Sequence, residues 1–305
     1  MPVIQRYGYE FPLGANDLIV ELMCYANNKA FPYRGKQMQP LDTGHSPEFH
    51  MRLAWQIMWP NWEWNEWADL MIWALCSNYR EIGMIGCAGA GKSFVSARWA
   101  LLDWIAAPFE TSTTISTPKF DSLRSRIWGN MMSGLEASPL KPSLEQAFQF
   151  TNTSNELKVK VRDKGKTDND VFAIQGVAAD SADTSATKLR GQHTPRHRIL
   201  ADECEHMGEV LYSAMANASI DPDYKAILPT NPSDRESQYC QTIAAPINGW
   251  SSISEHDKWW LTKGGICIHF NALESPNVKA KAKIVPGLIE QSGIDEIKIK
   301  HGESS

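Results

Sequence analysis

Long apolar runs are absent from this sequence of 305 residues, and no stretch approaches the ~20 apolar residues that a membrane-spanning helix requires. The opening residues, MPVIQRYGYEF, lack a basic segment followed by an apolar one, so we expect no secretory signal peptide. The six cysteines include no CxxC pair, which argues against a zinc ribbon or a disulfide framework and favours reduced thiols. Together these absences predict a soluble intracellular protein without a membrane partner.

An excess of basic residues is also absent. The 30 Lys and Arg residues against 35 Asp and Glu residues give a net charge of −5, which excludes a chain that is basic throughout. A binding channel for nucleic acid needs only a local positive patch, so nucleic-acid binding stays open. The hydrophobic share of 43% is ordinary for a globular protein, and the length allows one large domain or two modest ones.

The first part of the chain is irregular and then rich in tryptophan. Residues 1–50 show little hydrophobic periodicity, which predicts loops and one short helix around residues 16–28. Six of the twelve tryptophans follow within residues 54–73, and from Trp67 onward the apolar residues recur at the helical period. These aromatic side chains are predicted to pack in the core, with stacking on a nucleotide base or contact with a partner as the alternative.

Beyond this helix, segments of strand character alternate with segments of helical character. The predicted strands are EIGMIG, TSTTIST, NELKVKVRD, DVFAIQGVA, RHRILADE, YKAILPTNP and GICIHF. The predicted helices are GKSFVSARWALLDWIA, SLRSRIWGNMMSGL and MGEVLYSAMANA. Strands that alternate with helices and end in polar turns predict an α/β fold with a mostly parallel sheet.

A glycine-rich turn separates the first of these strands from its helix. Its residues match the pattern G-x-x-x-x-G-K-[ST] in full: Gly86, Cys87, Ala88, Gly89, Ala90, Gly91, Lys92 and Ser93. Glycines let successive backbone N–H groups point at phosphate oxygens, and the following helix presents the positive end of its dipole. Lys92 would neutralise phosphate charge and the Ser93 hydroxyl would hold Mg²⁺. The sequence therefore predicts a P-loop.

An acidic pair, Asp202 and Glu203, ends a later buried strand. In P-loop ATPases an aspartate at this place completes the Mg²⁺ site, and the next glutamate orients and deprotonates the attacking water. Thr230 and Asn231 end the strand that follows, at the edge where open α/β sheets bind ligands. We interpret these two side chains as γ-phosphate sensors that couple hydrolysis to movement.

Four stretches in this order resemble the large terminase subunits of tailed double-stranded DNA phages, the motors that pump DNA into capsids. They are GCAGAGKS, KLRGQHTPRHRILADECEHM, ILPTNPS and IHFNALESPNV, and they frame the chain from about residue 55 to residue 278. The resemblance implies a P-loop NTPase of the ASCE type, with a mostly parallel central sheet flanked by helices and a small N-terminal and C-terminal accessory subdomain. It also implies ATP hydrolysis coupled to DNA translocation.

The resemblance assigns roles to individual residues. It makes Lys92 and Ser93 ligands of ATP and Mg²⁺, places Asp202 in the metal site and makes Glu203 the catalytic base. Arg190 is implied as an arginine finger that reaches a neighbouring subunit's nucleotide.

Two of these assignments leave alternatives open. Arg124 and Arg126 compete with Arg190 for the role of the finger. The glutamine that reads adenine in many terminases has no counterpart in its usual place here, so either Trp67 stacks on the base or Gln56 serves from further away.

The resemblance also predicts domains and partners. Residues 1–55 are predicted as an N-terminal accessory segment, 56–278 as the ATPase domain and 279–305 as a linker or tail toward a nuclease domain. The tail is too short to form that nuclease domain, so we expect no nuclease activity. The implied partners are double-stranded DNA, the portal protein of the procapsid and the small terminase subunit. A pentameric ring in the host cytoplasm, transiently at the portal, is the implied active form.

Rival interpretations come from the same residues. A helicase-like DNA-remodelling ATPase shares this chemistry, and a nucleotide-gated assembly protein at the portal would bind ATP without turnover. A zinc site is disfavoured because Pro195 interrupts the spacing of its candidate ligands, which are His193, His197, Cys204 and His206. A basic hairpin face either contacts a phosphate backbone or is simply solvated, and its residues are Lys158, Lys160, Arg162, Lys164 and Lys166.

Overall fold

The computed structural model describes residues 31–33, 36–38, 46–162, 171–179, 193–232 and 234–301. The helix predicted around residues 16–28, Arg190, Lys164 and Lys166 lie outside the described residues. The strands are β1 (Phe31–Tyr33), β2 (Lys36–Met38), β3 (Glu81–Gly86), β4 (Thr111–Thr117), β5 (Phe148–Asn152), β6 (Leu157–Val161), β7 (Ile174–Ala178), β8 (Arg196–Ala201), β9 (Asp223–Pro229), β10 (Trp259–Leu261) and β11 (Gly265–Phe270).

The helices are α1 (Pro47–Met58), α2 (Glu66–Cys76), α3 (Lys92–Ala106), α4 (Phe120–Ser125), α5 (Ile127–Glu136), α6 (Lys141–Ala147), α7 (Gly208–Ala218), α8 (Gln238–Thr242), α9 (Pro276–Ala280) and α10 (Gln291–His301). Single turns of 3₁₀ helix span Cys204–His206, Trp250–Ser252 and Ala272–Glu274. The strands and helices that the sequence predicted between β3 and β11 are present, except that the one helix predicted over residues 122–135 is two helices, α4 and α5, separated at Arg126.

Nine strands of the described chain form one sheet in the order β10-β11-β3-β9-β8-β4-β7-β6-β5. The six strands from β11 to β7 run parallel, whereas β10, β6 and β5 join antiparallel at the two edges. The short strands β1 and β2 form a separate antiparallel pair. The predicted α/β fold with a mostly parallel sheet is confirmed.

Helices cover both faces of the sheet. Helices α1 to α6 contribute buried side chains to a core on one face, where Trp99, Trp104 and Trp128 are fully buried. Helices α7 and α8 pack on the other face against alternate residues of the same strands, including Ile199 and Ala226. Because both faces of the sheet are covered, β8 and β9 are buried along nearly their whole length, including the charged Arg196 and Arg198 at the start of β8.

The helix α1 was not predicted, because residues 1–50 were interpreted as loops and a short helix further upstream. Its start has a clear signal, since Ser46 accepts a hydrogen bond from the N–H of Phe49 and Pro47 occupies the first turn. Met51, Ala54, Trp55 and Met58 recur at the helical period and join the main core. The predicted domain boundary at residue 55 therefore falls inside α1.

The tryptophan-rich segment is mostly core, as predicted. The ring of Trp55 is fully buried, and its centroid lies 4.8 Å from that of Trp59 and 5.2 Å from that of Trp62, both in edge-to-face contact. Trp62 stacks on Phe94 of α3 at 5.6 Å between centroids. The segment therefore joins α1 to the helix that follows the glycine-rich turn.

A buried ionic network ties α3 to the amino ends of β8 and β9. Asp103 is fully buried and pairs with Arg196 at 2.7 Å and with Arg198 at 2.9 Å. Asp223 pairs with the same two arginines at 3.2 and 3.1 Å. Burial alone would lower the pKa of Arg198, but Asp103 and Asp223 together hold that pKa above its ordinary value. The network fixes the end of the sheet opposite the functional residues.

The parallel strands bring the predicted functional residues to one edge. The carboxyl ends of β3, β9, β8 and β4 lie side by side, because these four strands are neighbours with the same direction. The glycine-rich turn follows β3, the acidic pair follows β8 and the Thr-Asn pair follows β9. Strand β9 lies between the other two, so the turn and the acidic pair face each other across one intervening strand.

Candidate functional site

The glycine-rich turn adopts a backbone that its glycines permit. Gly86, Gly89 and Gly91 have φ angles of 130°, 71° and 77°, which residues with side chains rarely adopt. A Cβ on Gly86 would lie 2.2 Å from the carbonyl oxygen of Phe270, so the neighbouring strand also excludes a side chain there. The N–H of Cys87 donates to that same carbonyl at 3.0 Å. The turn therefore begins as part of the sheet and ends at the first residue of α3.

Helix α3 begins directly at Lys92 without a side-chain cap. Gly91 precedes it as the N-cap residue and offers no side chain to its first N–H groups. A helix of 15 residues carries a partial positive charge at this end. The end of the turn is thus a place where an anion is favoured.

Lys92 is buried under the turn and held by oxygen atoms. Its side chain is 7% exposed, and its Nζ donates to the carbonyls of Gly86 and Cys87 at 3.2 and 2.9 Å. A third bond reaches Oδ1 of Asn231 at 2.7 Å. Burial lowers the pKa of Lys92 to about 8, although the nearby Asp202 acts in the opposite direction.

Asp202 lies against Ser93, as the two motifs require. Asp202 is 5% exposed, and its N–H donates to the carbonyl of Ser116 at 2.9 Å. Burial raises the pKa of this carboxyl, while a side-chain hydrogen bond from Ser93 and the charges of Lys92 and Arg126 act to lower it. The acidic strand and the glycine-rich turn therefore meet at one point, where a hydroxyl, a carboxylate and an ammonium group converge.

Glu203 has an unusual backbone for a residue with a side chain. Its φ and ψ of 56° and 35° are left-handed, and its N–H donates to the carbonyl of Pro229 at 3.1 Å. The side chain is 34% exposed and forms an ion pair with Arg126. A strained backbone at the tip of a strand is typical of functional positions, where surrounding contacts hold the residue.

Thr230 and Asn231 extend β9 into the same place. The N–H of Thr230 donates to the carbonyl of Met84 in β3 at 2.9 Å, and the residue is 4% exposed. Asn231 is exposed, and its side-chain oxygen accepts the hydrogen bond from Lys92. The structure therefore brings all predicted polar residues of the site together except Arg190, which lies outside the described residues.

The structure does not place Trp67 where a base could stack on it. Trp67 is 5% exposed, and its ring packs edge-to-face on Phe270 in the core, with the centroids 5.5 Å apart. The side chain of Gln56 is occupied by bonds to the carbonyl of Pro60 and to the indole N–H of Trp64.

Other residues line a cavity beside the turn. Its volume is about 360 Å³, and it opens next to Ala90 and Gly91. Its walls include Trp62, Phe94 and Asn65. The sequence analysis allowed a tryptophan of this segment to stack on a base, and Trp62 belongs to the same segment as Trp67. Only the packing decides which of the two rings faces the cavity.

The remaining side of the cavity is formed by residues 285–288, which belong to the segment predicted as a tail. This segment is fixed to the turn, because the N–H of Ile289 donates to the carbonyl of Gly89 at 3.0 Å. Ser275 and Asn277 hold it from behind: Ser275 donates to the carbonyl of Ile289 at 2.8 Å, and Asn277 donates to the carbonyls of Val285 and Leu288 at 2.9 and 3.1 Å. The SPN stretch thus fastens residues 285–289 across the glycine-rich turn.

The residues at the turn suit a magnesium ion better than a transition metal. The Ser93 hydroxyl and the Asp202 carboxylate are oxygen donors, which Mg²⁺ prefers. His193 and His197 instead both contact Asp221, at 3.0 and 2.7 Å. Within the described part of the chain no group of three or more His, Cys, Asp or Glu residues could hold a metal ion.

Two further predicted features have a structural outcome. The half-exposed Lys158 and Lys160 alternate with buried apolar residues on β6, which pairs antiparallel with β7, while the predicted turn with Lys164 and Lys166 lies outside the described residues. No helix among the described residues combines the length and the apolar character needed to cross a bilayer.

A mostly parallel nine-stranded sheet, a glycine-rich turn over a buried lysine and an acidic pair opposite it define a P-loop NTPase fold of the ASCE type. Folds of this type have an additional strand between the strand before the P-loop and the strand before the acidic pair, and here that strand is β9, between β3 and β8. The fold is similar to that of the large terminase ATPase domain of Thermus phage P74-26. An arginine-to-alanine mutant of that domain is 14% identical over 78% of this chain and 89% of its own, with a TM-score of 0.54.

A second structure of the Thermus phage P74-26 domain gives the same result, with 14% identity, 75% of this chain and 86% of that chain covered, and a TM-score of 0.50. No protein-family model matches the sequence, and a search of curated proteins also found no match. At this identity the structural likeness establishes the fold, and the residues of the site must carry the function.

Proposed function

We propose that this chain is the ATP-hydrolysing motor domain of a phage DNA-packaging terminase. The observation that supports the proposal most is the meeting of Ser93, Asp202 and Lys92 under the glycine-rich turn. A hydroxyl and a carboxylate for Mg²⁺ lie beside an ammonium group for phosphate, and Glu203 follows at the rim. The terminase assignment is supported by the sequence resemblance and by the similar fold of the P74-26 domain.

Each residue has a defined task in the proposed reaction. The backbone N–H groups of the turn and of the first turn of α3 bind phosphate oxygens, and Lys92 neutralises their charge. Ser93, with Asp202 beside it, would hold Mg²⁺, and the ion would supply positive charge against the charge that develops on the phosphate oxygens. Glu203 orients the attacking water and accepts its proton.

The end of β9 supplies the residues that would sense the γ-phosphate. Asn231 gives its side-chain oxygen to Lys92 in the structure described here. A phosphate that takes over Lys92 frees this amide to bond to the γ-phosphate or the attacking water. Thr230, bonded through its backbone to β3, keeps the two strands in register during this exchange. Movement of the loop after β9 would then report hydrolysis to the rest of the motor.

The nucleotide base would occupy the 360 Å³ cavity beside Gly91. This assignment replaces Trp67 with Trp62 and Phe94 as the aromatic residues nearest to the base, since both line that cavity. Aromatic stacking on a base contributes about 1–3 kcal/mol. The segment 285–288 closes the cavity from the other side.

Replacement of Trp62 tests whether the base occupies this cavity. Trp62→Ala should weaken ATP binding about 10-fold while the binding of inorganic tripolyphosphate, which has no base, stays the same. Trp259→Ala is a matched control, because Trp259 is an exposed tryptophan on the edge strand β10. Equal losses for ATP and tripolyphosphate would show that Trp62 only supports the glycine-rich turn.

The central experiment separates binding from hydrolysis. Glu203→Gln should bind ATP with Mg²⁺ as the unaltered chain does, but hydrolyse it at least about 100-fold more slowly. Glu205→Gln, in the 3₁₀ turn that follows Glu203, is the control that keeps full turnover. If Glu203→Gln hydrolyses ATP normally, Glu203 is not the base and the proposed chemistry is wrong.

The motor assignment needs its own test. We propose that double-stranded DNA, the portal protein and the small terminase subunit are partners, that a pentameric ring is the active form, and that Arg190 acts on a neighbouring nucleotide. The rate per chain should then rise with protein concentration, and Arg190→Ala should abolish that rise. A packaging motor should use ATP to displace the third strand of a DNA triplex without unwinding a forked duplex. A helicase should unwind the fork.

A further inference from the structure

Residues 285–289, which we call the strap, lie across the glycine-rich turn although none of the sequence motifs includes them. The N–H of Ile289 donates to the carbonyl of Gly89 at 3.0 Å. The approach is close, because a Cβ on Gly89 would lie 3.3 Å from that same nitrogen. Beside it, the side chain of Leu288 would lie 3.5 Å from a Cβ on Gly91. The strap therefore contacts the turn at the residues that lead into α3.

The bond from the strap sets the direction of one peptide group in the turn. Gly89 and Ala90 share a trans peptide bond, in which the carbonyl of the first residue and the N–H of the second point in opposite directions. Because the Gly89 carbonyl points at Ile289, the N–H of Ala90 points away from the strap. Among the described residues, the N–H groups from Ala88 to Gly91 donate to no carbonyl. The turn thus presents a run of N–H groups, and the strap orients one of them.

The strap begins with a tight turn that its own sequence favours. Val285, Pro286, Gly287 and Leu288 form a β-turn, in which the N–H of Leu288 donates to the carbonyl of Val285 at 3.4 Å. Proline suits the second position of such a turn, and Gly287 supplies a φ of 83° at the third. The buried Asn277 holds both ends: its Oδ1 accepts from the N–H of Val285 at 2.8 Å, and its Nδ2 donates to the carbonyls of Val285 and Leu288. The protein itself therefore fixes the strap in place.

We propose that the strap is a positioning element of the phosphate site: Ile289 holds the Gly89 carbonyl outward and so presents the N–H of Ala90 to a phosphate oxygen. The inference rests on the proposed function, since it concerns the same glycine-rich turn. A turn whose N–H groups are aligned beforehand binds phosphate more tightly, because binding does not have to order it. Loss of the strap's bond should weaken phosphate binding about 10-fold, which is the effect of one hydrogen bond to a charged group.

The coupling between the strap and the phosphate site has to act in both directions. If the closed strap raises the affinity for phosphate about 10-fold, bound phosphate lowers the population of the open strap by the same factor. The amide hydrogen of Ile289 exchanges with solvent only when its bond to Gly89 opens. Its exchange should therefore slow about 10-fold at saturating phosphate. A strap with a purely structural role would exchange at one rate with and without the ligand.

The first experiment removes the donor. Ile289→Pro lacks the backbone N–H and should bind both inorganic tripolyphosphate and ADP about 10-fold more weakly than the unaltered chain, as measured by isothermal titration calorimetry. Gln291→Pro is the matched control, because proline is tolerated at the first position of a helix, here α10. A loss for ADP alone would show that the strap is only a wall of the base cavity. That result would overturn the proposal, as would equal affinities of Ile289→Pro and the unaltered chain.

The second experiment uses the unaltered chain, so it does not depend on how well Ile289→Pro folds. Hydrogen–deuterium exchange at Ile289 is followed by mass spectrometry of overlapping peptides, with and without tripolyphosphate. We expect the exchange to slow with the ligand, while the amides of α7 on the other face of the sheet keep their rates. Exchange at Ile289 that tripolyphosphate leaves unaltered would overturn the proposal.

A third variant loosens the strap without touching its bond to the turn. Ser275→Ala removes the donor to the Ile289 carbonyl, so exchange at Ile289 should become faster and tripolyphosphate should bind more weakly. Faster exchange with an unaltered affinity would contradict the coupling. Failure of the proposed function looks different, because the unaltered chain would then bind neither tripolyphosphate nor ATP, and the role of the strap would fall with it.

Discussion

The side-chain nitrogen of Lys92 lies 2.7 Å from the side-chain oxygen of Asn231, which joins the glycine-rich turn to the end of β9. Lys92 is buried, whereas Asn231 is exposed at the carboxyl edge of the sheet. The amide oxygen is a neutral acceptor, so a phosphate oxygen with its full charge can displace it. The bond therefore keeps Lys92 in place without neutralising the charge that the ligand needs.

A charged residue in place of Asn231 should compete with the ligand. Asn231→Asp would give Lys92 a carboxylate partner, and a hydrogen bond between charged groups is stronger by about 1–2 kcal/mol. We expect the affinity for ADP and ATP to fall about 10-fold, as measured by isothermal titration calorimetry. Asn231→Ala keeps the charge of the site and should change the affinity much less. Equal affinities for Asn231→Asp and the unaltered chain would show that phosphate does not approach Lys92.

The pH should control nucleotide binding through Lys92. Burial lowers the pKa of Lys92 to about 8, so the free protein loses this positive charge as the pH rises through that value. Bound phosphate favours the protonated lysine, and the affinity should therefore fall above pH 8, by up to about 10-fold per pH unit.

Titration of a fluorescent ADP analogue from pH 6.5 to 9.5 measures this dependence. Lys92→Arg is the comparison, since a guanidinium group keeps its charge over the whole range and should give a flat profile. A flat profile in the unaltered chain would mean that Lys92 stays protonated throughout or does not contact the phosphates.

The two glycines Gly86 and Gly208 should respond differently to the same substitution. Both have positive φ angles, 130° and 59°. A Cβ on Gly86 would meet the Phe270 carbonyl oxygen at 2.2 Å, whereas one on Gly208 has nothing within 4 Å. Gly208→Ala should cost only the ~1 kcal/mol of a left-handed alanine.

Gly86→Ala should cost more than about 3 kcal/mol and remove nucleotide binding, because β3 and β11 must separate to admit the methyl group. Urea denaturation of both variants measures the free energies of unfolding. Similar values for the two would contradict the close approach of the Phe270 carbonyl.

Removal of one charge from the buried network should destabilise the fold strongly. Asp103→Asn keeps the size of the side chain but leaves Arg196 and Arg198 without the carboxylate between them. Loss of one member of a buried ion pair costs about 3–5 kcal/mol. Thermal denaturation should show a lower melting temperature, whereas Glu136→Gln, which removes an exposed ion pair, should show no measurable change. A small effect of Asp103→Asn would mean that water enters the network.

The fold was predictable from sequence where local pattern and burial agree. The strands that end in motifs contain short apolar runs, such as Ile199–Ala201 in β8, and their alternation with helices predicts a parallel sheet. Strand β10 was missed because it has three residues and lies at the edge of the sheet. Helix α1 was missed although Ser46 and Pro47 mark its start, because the surrounding residues suggested loops.

The site was predictable as a set of motifs but not as a set of contacts. The P-loop motif and the acidic pair at a later strand end indicated that Lys92, Ser93 and Asp202 would meet, because parallel strands end at one edge of the sheet. Nothing in the pattern distinguishes Trp62 from Trp67, since both are tryptophans in one segment and only packing decides which ring lies in the core. The pairing of Arg126 with Glu203 joins residues far apart in sequence, and the sequence offered Arg126 only as a competitor of Arg190 for the arginine finger.

The fastening of residues 285–289 to Gly89 has a practical consequence for anyone who produces this protein. A recombinant fragment cut after residue 278, where the terminase-like motifs stop, would lack one side of the cavity beside the turn, and Ser275 and Asn277 would lose the backbone groups that they hold. The shortest fragment that keeps all sides of the cavity that we propose for the base therefore has to extend past Ile289.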